Sequence, residues 1–463
     1  MVAGARVRAG LGGGLTGPAM TPPGWDRAER DALDLFRELL RIDTSNPPGN
    51  ETAAAQACAR ALAQDGVDSQ LLARTPGRDN VIARLRGDGS RPPLLLNAHL
   101  DVVPAELHGW RTPPFGAEIL DGWIHGRGAL DMKNMAALSV TVMRQLRREG
   151  VRLARDVIFC GSADEEAGSE HGALWLVERH PEAVRAAFGL GELGGFSLYL
   201  GSRVFYPVMV AQKGVCWFRM RARGETGHGS IPRPESAIAR LARAVARLAR
   251  ARLPAHATAA FRAMNRALSA GSGGARNPAL RAMADKAVGL RMLSRMVDAE
   301  VARSLLALRS NTASPTVLRA GSSTNVHPSV AECVVDGRHL PGQTRDDLLR
   351  EVRAVVGPDI ELEVFYEREP VEMPAATPLF ERIAATLSEL EPEARVVPVL
   401  IPGFTDAYAF SRLGCTFYGF VPLKLPPGVP FAQLFHGHDE RVPLDGFLWG
   451  LRVLYRIVRD FCT

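Results

Sequence analysis

The sequence predicts an α/β protein in which a mixed central sheet is flanked by helices and carries a smaller inserted α+β domain. Three observations predict this architecture. Apolar strand-like runs alternate with helical patterns up to residue 210, a different pattern occupies residues 211–369, and the first pattern returns over 370–463. Strands that alternate with helices are typical of layered α/β domains, and the return of the pattern indicates that one domain is inserted into the other.

The larger domain is predicted to begin at residue 25, after a disordered leader over 1–24, and its first part extends to residue 210. Its predicted helices are 26–42, 52–66, 133–150 and 171–181, and its predicted strands are 80–87, 92–103 and 156–161. In the second part, helices are predicted at 377–390 and 443–460, and strands at 395–400 and 415–420. Continuous apolar strands of this kind are buried on both faces, so helices are expected on both sides of the sheet.

The inserted domain, 211–369, follows the order βαββαβ, which is that of a ferredoxin-like sandwich. Its strands are predicted at 214–224, 314–321, 331–340 and 360–367, and its helices at 235–253 and 344–357. Residues of about 255–312 lie inside this domain and predict a mostly helical insertion with a break at the sequence GSGG. The open sheet edge of such a sandwich often pairs with a second copy, which favours a homodimer.

Composition restricts the class of protein. The chain has 463 residues, 46% hydrophobic content and a formal net charge of +6, and no apolar run reaches the roughly 18 residues of a membrane helix. Arginine supplies nearly all of the positive excess, either on solvated helix faces or on a surface that attracts anionic substrates. No basic run is interleaved with aromatic residues, so neither a nucleic-acid nor a membrane partner is expected. Six scattered cysteines without a CxxC pair indicate reduced thiols and a cytoplasmic location.

Three adjacent carboxylates, Asp164, Glu165 and Glu166, follow the predicted strand 156–161 in the stretch SADEEAGSEHG. Adjacent carboxylates repel each other, and each loses hydration energy when it leaves water. A cluster of this kind is favourable when a cation or a reaction uses it. Beyond a strand end, neighbouring glutamates can diverge, so that one binds a metal while the other acts as a base.

Further candidate ligands follow other predicted strands. In NAHLDVV, His99 and Asp101 point to the same side of a strand end, where Asp101 could orient the imidazole of His99. Taken alone, His99 is also compatible with a hydrogen-bonded histidine that binds no metal. Asp131 is compatible with a simple helix cap, and Glu192 with a solvated turn carboxylate.

These residues, together with His436 or His438 in FHGHDERV, lie at the carboxyl ends of predicted strands or just before the last helix. Open α/β sheets form active sites at such strand ends. The five candidate ligands are His99, Asp131, Glu166, Glu192 and a late histidine. Five ligands exceed the needs of one tetrahedral zinc ion but suit two that share a carboxylate, which leaves Glu165 as a base. A calcium site is the alternative, but no D-x-[DN]-x-[DN]-G loop occurs and histidine is a poor calcium ligand.

Six segments occur in the order found in one known family: LLLNAHLDVVPA, GWRTPPFGAEILDGWIHGRGALDMKNMAA, SADEEAGSEHGA, GELGGF, GHGSIP and HGHDERV. Their combination resembles the M20 family of metallopeptidases and covers nearly the whole chain after residue 25. That family includes carboxypeptidase S, glutamate carboxypeptidase, aminoacylase-1 and succinyl-diaminopimelate desuccinylase. The resemblance implies a di-zinc, aminopeptidase-like catalytic domain with an inserted lid that also dimerises.

The resemblance also implies roles for individual residues. The implied metal ligands are His99, Asp131, Glu166, Glu192 and His436. Asp131 would bridge two Zn²⁺ ions, with Co²⁺ or Mn²⁺ as possible substitutes. Glu165 would be the general base, and Asp101 would orient His99. The peptide bond between Asp131 and Met132 is a candidate for the cis geometry that is frequent in the family.

In the inserted domain, His228 of GETGHGSIP would reach the active site of a partner subunit and stabilise the oxyanion, as the resemblance implies. By the same resemblance, the substrate-binding residues would be Asn325, Arg338, Gly403 and Thr405. Arg338 would bind a substrate carboxylate, a role that suits a planar guanidinium group. Tyr408 departs from the family, which commonly has an arginine there. The insertion at about 255–312 more resembles the carboxypeptidase S-like branch.

The sequence therefore predicts a zinc-dependent hydrolase that cleaves the amide bond of a peptide or N-acyl amino acid with a free carboxylate. A second hypothesis keeps the chemistry but makes the enzyme an N-acyl-amino-acid deacylase or a desuccinylase. Candidate apolar residues for its pocket are Phe196, Phe205, Tyr206 and Phe404. A third hypothesis is an inactive scaffold or binding protein, which the presence of every ligand position and of Glu165 disfavours.

Overall fold

The computed structural model describes residues 25–200, 203–271, 307–429 and 431–463. Within these ranges the chain forms the predicted mixed central sheet flanked by helices. The predicted leader and nearly all of the GSGG break lie outside the described residues. No helix of the described part is long and apolar enough to cross a membrane.

The larger domain begins with five helices and nine strands. The helices are α1 (Trp25–Arg41), α2 (Thr52–Ala63), α3 (Lys133–Arg148), α4 (Ala173–Arg179) and α5 (Pro181–Val184). The strands are β1 (Ser69–Ala73), β2 (Asp79–Leu85), β3 (Leu94–His99), β4 (Ile119–Leu120), β5 (Trp123–His125), β6 (Val157–Ser162), β7 (Phe188–Gly191), β8 (Leu198–Leu200) and β9 (Arg203–Gln212). Sequence patterning did not predict β9, because Pro207 argues against a central strand.

The inserted domain follows directly after β9. Its strands are β10 (Gly214–Arg223), β11 (Gly227–His228), β12 (Thr312–Ala320), β13 (Val326–His327), β14 (Val330–His339) and β15 (Glu361–Arg368). Its described helices are α6 (Ala237–Arg250), α7 (Ala259–Gly271) and α8 (Arg345–Val356). The main sheet has the order β12-β14-β10-β15 with every pair antiparallel, which is the strand order of a ferredoxin-like sandwich.

The chain then returns to the larger domain. The remaining strands are β16 (Val371–Glu372), β17 (Arg395–Ile401), β18 (Thr416–Gly419) and β19 (Arg441–Pro443). The remaining helices are α9 (Pro378–Leu390), α10 (Ala407–Ser411), α11 (Phe431–Leu434) and α12 (Leu444–Cys462). The central sheet has the order β1-β2-β6-β3-β7-β18-β9-β16, with β8 and β17 also paired to β9.

The middle of the central sheet determines where the site forms. Strands β6, β3, β7 and β18 are parallel neighbours, so their carboxyl ends lie at one edge. Every residue of β3 and of β6 is buried, because one apolar cluster covers each face of the sheet. The first cluster includes Phe36 of α1 and Phe447 of α12, and the second includes Leu176 of α4 and Phe410 of α10.

The described part of the 255–312 insertion packs on the larger domain. Phe261 and Met264 of α7 belong to the same apolar cluster as Leu400 of β17. The backbone amide of Ala260 donates to a carboxylate oxygen of Glu372 at 2.7 Å. This segment therefore connects the inserted domain to the larger one.

Lys213 lies at the junction of the two domains, between β9 and β10. Its side chain is 1% exposed and its ammonium donates to the carbonyl of Ser310 at 2.8 Å and to the hydroxyl of Thr312 at 3.3 Å. Burial lowers the pKa of Lys213 to about 7. The folded state therefore holds this proton less tightly than the unfolded chain does.

We expect Lys213→Met to change the pH dependence of stability. The unfolded lysine keeps a pKa of roughly 10.4, so between about pH 7 and pH 10 the unfolded chain binds more protons and the wild-type free energy of unfolding rises with pH. Between about pH 7.5 and pH 9, urea unfolding should show the wild type gaining on the order of 1–2 kcal/mol relative to the variant. Lys424→Met, at a partly exposed ammonium paired with Glu391, is the control. Parallel pH profiles for the wild type and Lys213→Met would contradict the expectation.

Candidate active site

Adjacent strand ends bring the predicted site residues together. His99 is the last residue of β3, and it pairs in register with Ser162, the last residue of β6. Glu165 and Glu166 follow β6 within one turn, and Glu192 directly follows β7. Because β3, β6 and β7 are parallel neighbours, these side chains meet at one edge of the sheet.

Two groups of possible metal ligands share one carboxylate. One group is His99, Asp131 and Glu192, the other is Asp131, Glu166 and His436, and the ligand atoms of each lie within 4.8 Å of one another. Nε2 of His99 is 2.9 Å from Oδ1 of Asp131 and 3.7 Å from Oε2 of Glu192. Nε2 of His436 is 3.2 Å from Oδ2 of Asp131 and 3.3 Å from Oε2 of Glu166. Asp131 thus presents one oxygen to each group, as a bridging ligand would.

The donor set fits two divalent metal ions. Among the described residues, Oε1 of Glu166 and Oε1 of Glu192 are buried without a hydrogen-bond partner. Burial raises the pKa of Glu192 to about 7, and burial also raises the pKa of Glu166. An unpartnered buried carboxylate oxygen is costly, and a cation removes that cost. Imidazole and carboxylate ligands together suit first-row transition metals.

The charges of the cluster also act on its histidines and on the shared aspartate. Burial alone would raise the pKa of Asp131, but hydrogen bonds with His436 and His99 outweigh burial and lower it. Hydrogen bonds to Asp131 and Glu166 raise the pKa of His436 to about 10. The site therefore strongly favours positive charge beside Asp131.

Asp101 positions the two glutamates as well as the histidine. Nδ1 of His99 is 3.0 Å from the backbone carbonyl oxygen of Asp101 and 3.6 Å from its carboxylate. The carboxylate accepts hydrogen bonds from the backbone amides of Glu165 at 3.0 Å and of Glu166 at 3.1 Å. Asp101 therefore fixes the backbone from which the candidate base and one candidate ligand project.

Buried side chains whose structural roles sequence reasoning did not identify stabilise this loop. Asp164, at φ 67°, accepts hydrogen bonds from Asn46 at 3.0 Å and from Arg78 at 2.8 Å. Asp406 accepts hydrogen bonds from the hydroxyls of Ser162 at 2.7 Å and Ser169 at 2.6 Å. Asn46 was not predicted as part of the site, because its partner Asp164 is far away in the sequence.

Glu440 holds the backbone at the bridging aspartate. Its buried carboxylate accepts hydrogen bonds from the backbone amides of Leu130 at 2.7 Å and Asp131 at 3.2 Å, and from Arg127 at 2.7 Å. The peptide bond between Asp131 and Met132 is cis, as the sequence predicted. The motif around His436 thus supplies a positioning carboxylate as well as a candidate ligand.

An open cavity of about 350 Å³ lies over the acidic cluster. Its described lining is Asp131, Glu165, Glu166, Glu192, Leu193, Arg338, Gly403, Phe404, Phe435 and His436. Nine of these ten residues are on the larger domain, whereas Arg338 comes from β14 of the inserted domain. The structure therefore brings four of the five candidate ligands, the candidate base and two predicted substrate contacts, Arg338 and Gly403, into one cavity.

Other predicted contacts lie elsewhere. His228 and Asn325 are exposed on the inserted domain and do not belong to the described lining of this cavity. The hydroxyl of Thr405 is buried and donates to Gln212 at 2.7 Å. Phe205 and Tyr206 are core residues. His438 faces Glu106, at 3.7 Å, so His436 is the histidine that reaches the cluster.

Tyr408, the departure from the family pattern, lies beside a different arginine. The guanidinium carbon of Arg368 is 5.7 Å from the ring centroid of Tyr408 and 5.1 Å from that of Phe404. A buried guanidinium group therefore lies next to position 408, although it comes from the end of β15.

The fold and this cluster define the class of metal-dependent hydrolases. The model of peptidase family M20/M25/M40 matches residues 95–460, and the chain belongs to this family. It is a metal-dependent amide hydrolase.

Two relatives agree with this assignment, and a solved structure shares the fold. An N-fatty-acyl-amino acid synthase/hydrolase of Bos taurus is 29% identical over 400 residues, which are 81% of this chain and 75% of that protein. Aminoacylase-1 of Homo sapiens is 28% identical over 450 residues, covering 93% of this chain and 95% of that protein. The structure of an M20 family metallo-carboxypeptidase from Sulfolobus solfataricus has a TM-score of 0.68 at 16% identity, over 93% of this chain and 99% of that one. This last likeness shows the fold alone.

Metal titration should separate the shared ligand from the unshared ones. We expect the wild type to bind two divalent ions per chain, His436→Ala to lose affinity for one of them, and Asp131→Ala to lose affinity for both. Each loss should exceed the roughly 10–100-fold effect typical of residues that only support a ligand. Isothermal titration with Zn²⁺ and Co²⁺ measures this. His438→Ala is the matched control and should bind as the wild type does. Two tightly bound ions in Asp131→Ala would contradict a bridging role.

Proposed function

We propose that this protein hydrolyses N-acyl amino acids that have an apolar acyl group and a free carboxylate. The observation that supports this most is the composition of the cavity. Arg338 supplies a cation on one side of the acidic cluster, and Leu193, Phe404 and Phe435 supply an apolar wall. A substrate with a carboxylate and an apolar chain matches both, because the carboxylate pairs with the guanidinium group and the chain leaves water.

Peptides are the second candidate substrate class. The free α-ammonium group of a dipeptide needs an acidic or carbonyl partner in the cavity. In the described lining, the only carboxylates are the candidate metal ligands and Glu165. N-acyl substrates lack this ammonium group and avoid the conflict. The similarity to the N-fatty-acyl-amino acid hydrolase and to aminoacylase-1 supports the same choice.

Arg338 is prepared to bind a carboxylate with one part of its guanidinium group. Nε and Nη2 donate to the carboxylate of Asp336 at 2.7 Å and 3.2 Å, which fixes the side chain. Nη1 is buried without a hydrogen-bond partner among the described residues. The substrate carboxylate would accept a hydrogen bond from Nη1 of the guanidinium group, which Asp336 already orients.

The metal ions would be held by His99, Asp131 and Glu192 on one side and by Asp131, Glu166 and His436 on the other. Zinc is the proposed metal, with cobalt or manganese as alternatives. When bound, such ions supply Lewis-acid polarisation of the substrate carbonyl and acidify the attacking water.

Glu165 is the proposed general base. Its side chain is 6% exposed and lines the cavity beside the candidate ligands. The hydrogen bond from its backbone amide to Asp101 fixes the backbone from which this carboxylate projects. Its carboxylate would take a proton from the attacking water and then deliver that proton to the leaving nitrogen of the amino acid.

The inserted domain is the proposed lid and dimerisation unit. We propose the domain division 25–210 and 370–463 for the catalytic domain and 211–369 for the lid. In a homodimer, His228 of the partner subunit would stabilise the oxyanion, which accounts for the exposure of this histidine on a single chain. The six cysteines are free and buried, which supports the proposed cytoplasmic location.

A substrate panel tests the proposed function. It contains N-acetyl, N-long-acyl and N-succinyl amino acids and dipeptides, each with the zinc-loaded wild type and with Glu165→Gln. We expect the long-acyl series to give the highest kcat/KM, and Glu165→Gln to lower kcat about 10²–10⁴-fold. Faster turnover of dipeptides would overturn the substrate assignment. No turnover with both metal sites filled would favour an inactive scaffold.

A second test asks whether Arg338 binds the substrate carboxylate. Arg338→Met should raise KM about 10–100-fold for N-acyl amino acids, because a charge-assisted hydrogen bond contributes roughly 1.5–3 kcal/mol. The same variant should change KM little for the corresponding N-acyl amino acid amides, which lack the carboxylate. Equal losses for both substrate series would assign Arg338 a structural role.

A further inference from the structure

Arg368 connects the two domains beside the active site. It is the last residue of β15, and three residues later the chain enters β16 in the central sheet. The residue is 6% exposed. Its guanidinium group contacts two separate loops of the larger domain, one around Gly168 and the other at Phe404 and Tyr408.

The first contact reaches the turn that carries the candidate base. Nη2 of Arg368 donates a hydrogen bond to the backbone carbonyl of Gly168. The amide of Gly168 in turn donates to the carbonyl of Glu165 at 3.0 Å, which closes the turn. Gly168 has a φ of 116°, and a Cβ there would lie 3.2 Å from Nη2 of Arg368. Glycine suits this position, because its φ is positive and because a Cβ would require the guanidinium group to move by a few tenths of an ångström.

The second contact reaches the side of the cavity that would bind substrate. The ring of Phe404 contacts two guanidinium groups: its centroid is 5.1 Å from the guanidinium carbon of Arg368 and 5.4 Å from that of Arg338. A cation near the face of an aromatic ring is favourable, because the face carries negative potential. Phe404 and Arg338 both line the cavity, whereas Arg368 is not in its described lining.

We propose that Arg368 is a positioning residue for the amide hydrolysis, and this inference rests on the proposed function. One guanidinium group keeps the Glu165 turn and the Phe404–Arg338 side of the cavity at a fixed separation. The base and the carboxylate anchor must both meet one substrate, so a shift of about 1 Å in either costs on the order of 100-fold in rate. Arg368 acts through these groups and touches neither the substrate nor a candidate metal ligand.

Steady-state kinetics on the panel substrate that the wild type hydrolyses fastest is the first test. Arg368→Met should lower kcat about 10–100-fold and also raise KM, since both the base and Phe404 lose their support. Arg368→Lys retains a cation near the rings but lacks the planar fork, so it should recover part of kcat. If Arg368→Met folds poorly, the comparison of Arg368→Lys with the wild type still tests the proposal. Lysine keeps the positive charge but lacks the planar guanidinium group, so Arg368→Lys should have a lower kcat than the wild type.

Arg155→Met is the matched control. Arg155 is 5% exposed, its guanidinium carbon is 3.9 Å from the ring centroid of Phe461, and it donates to the carbonyl of Pro92 at 3.0 Å. This variant removes the same kind of buried, ring-stacked arginine away from the cavity. It should lose stability but keep kcat and KM within about twofold of the wild type. Equal kinetic losses in Arg155→Met and Arg368→Met would overturn the proposal.

A readout that needs no substrate separates this inference from the proposed function. Hydrogen–deuterium exchange of the zinc-loaded protein should be faster in Arg368→Met than in the wild type over 164–172 and 403–410, and unchanged there in Arg155→Met. Unchanged exchange in both segments would overturn the positioning role, whatever the substrate is. If the wild type hydrolyses no panel substrate but these segments open in Arg368→Met, the proposed function fails and the positioning role stands.

Discussion

The crowding of negative charge at one sheet edge is the constraint on which the rest of the site depends. Asp131, Glu165, Glu166 and Glu192 are all buried or nearly so beside two imidazoles. Buried carboxylates without counter-charges are unfavourable, so this edge is stable only with cations or protonated partners. The raised pKa of Glu192 and the unpartnered oxygens of Glu166 and Glu192 show that hydrogen bonds within the described protein leave the demand unmet.

The surrounding structure keeps these carboxylates in place despite their repulsion. Asp101 binds the backbone amides of the two glutamates, Glu440 binds the amides at Asp131, and Asp406 binds two hydroxyls next to the acidic loop. These three buried acids differ from the candidate ligands, because backbone amides or hydroxyls donate hydrogen bonds to their carboxylates. The fold thus separates carboxylates that hold the loops from those that remain available to metal and substrate.

Two arginines of the inserted domain lie at or beside the same cavity. Arg338 of β14 lines the cavity, and Arg368 at the end of β15 donates a hydrogen bond to the acidic loop at Gly168. The described helix of the insertion, α7, packs on the central sheet beside β17. The two domains are therefore connected near the acidic cluster, so a movement of the inserted domain would displace both the proposed base, Glu165, and the proposed carboxylate-binding residue, Arg338.

The sequence by itself determined the alternation of strands and helices, the ferredoxin-like order of the inserted domain, and the residues at strand ends. It could do so because periodicity and apolar runs are local properties, and because the combination of the segments around His99, Asp131 and Glu166 with the other motifs resembles one family. It missed β9, since Pro207 argues against a central strand. Only the tertiary structure decided that Asp131 presents one oxygen to each ligand group and that Arg368 lies beside Tyr408. These contacts are between residues that are far apart in the chain, and local sequence patterns give no information about the distance between such residues.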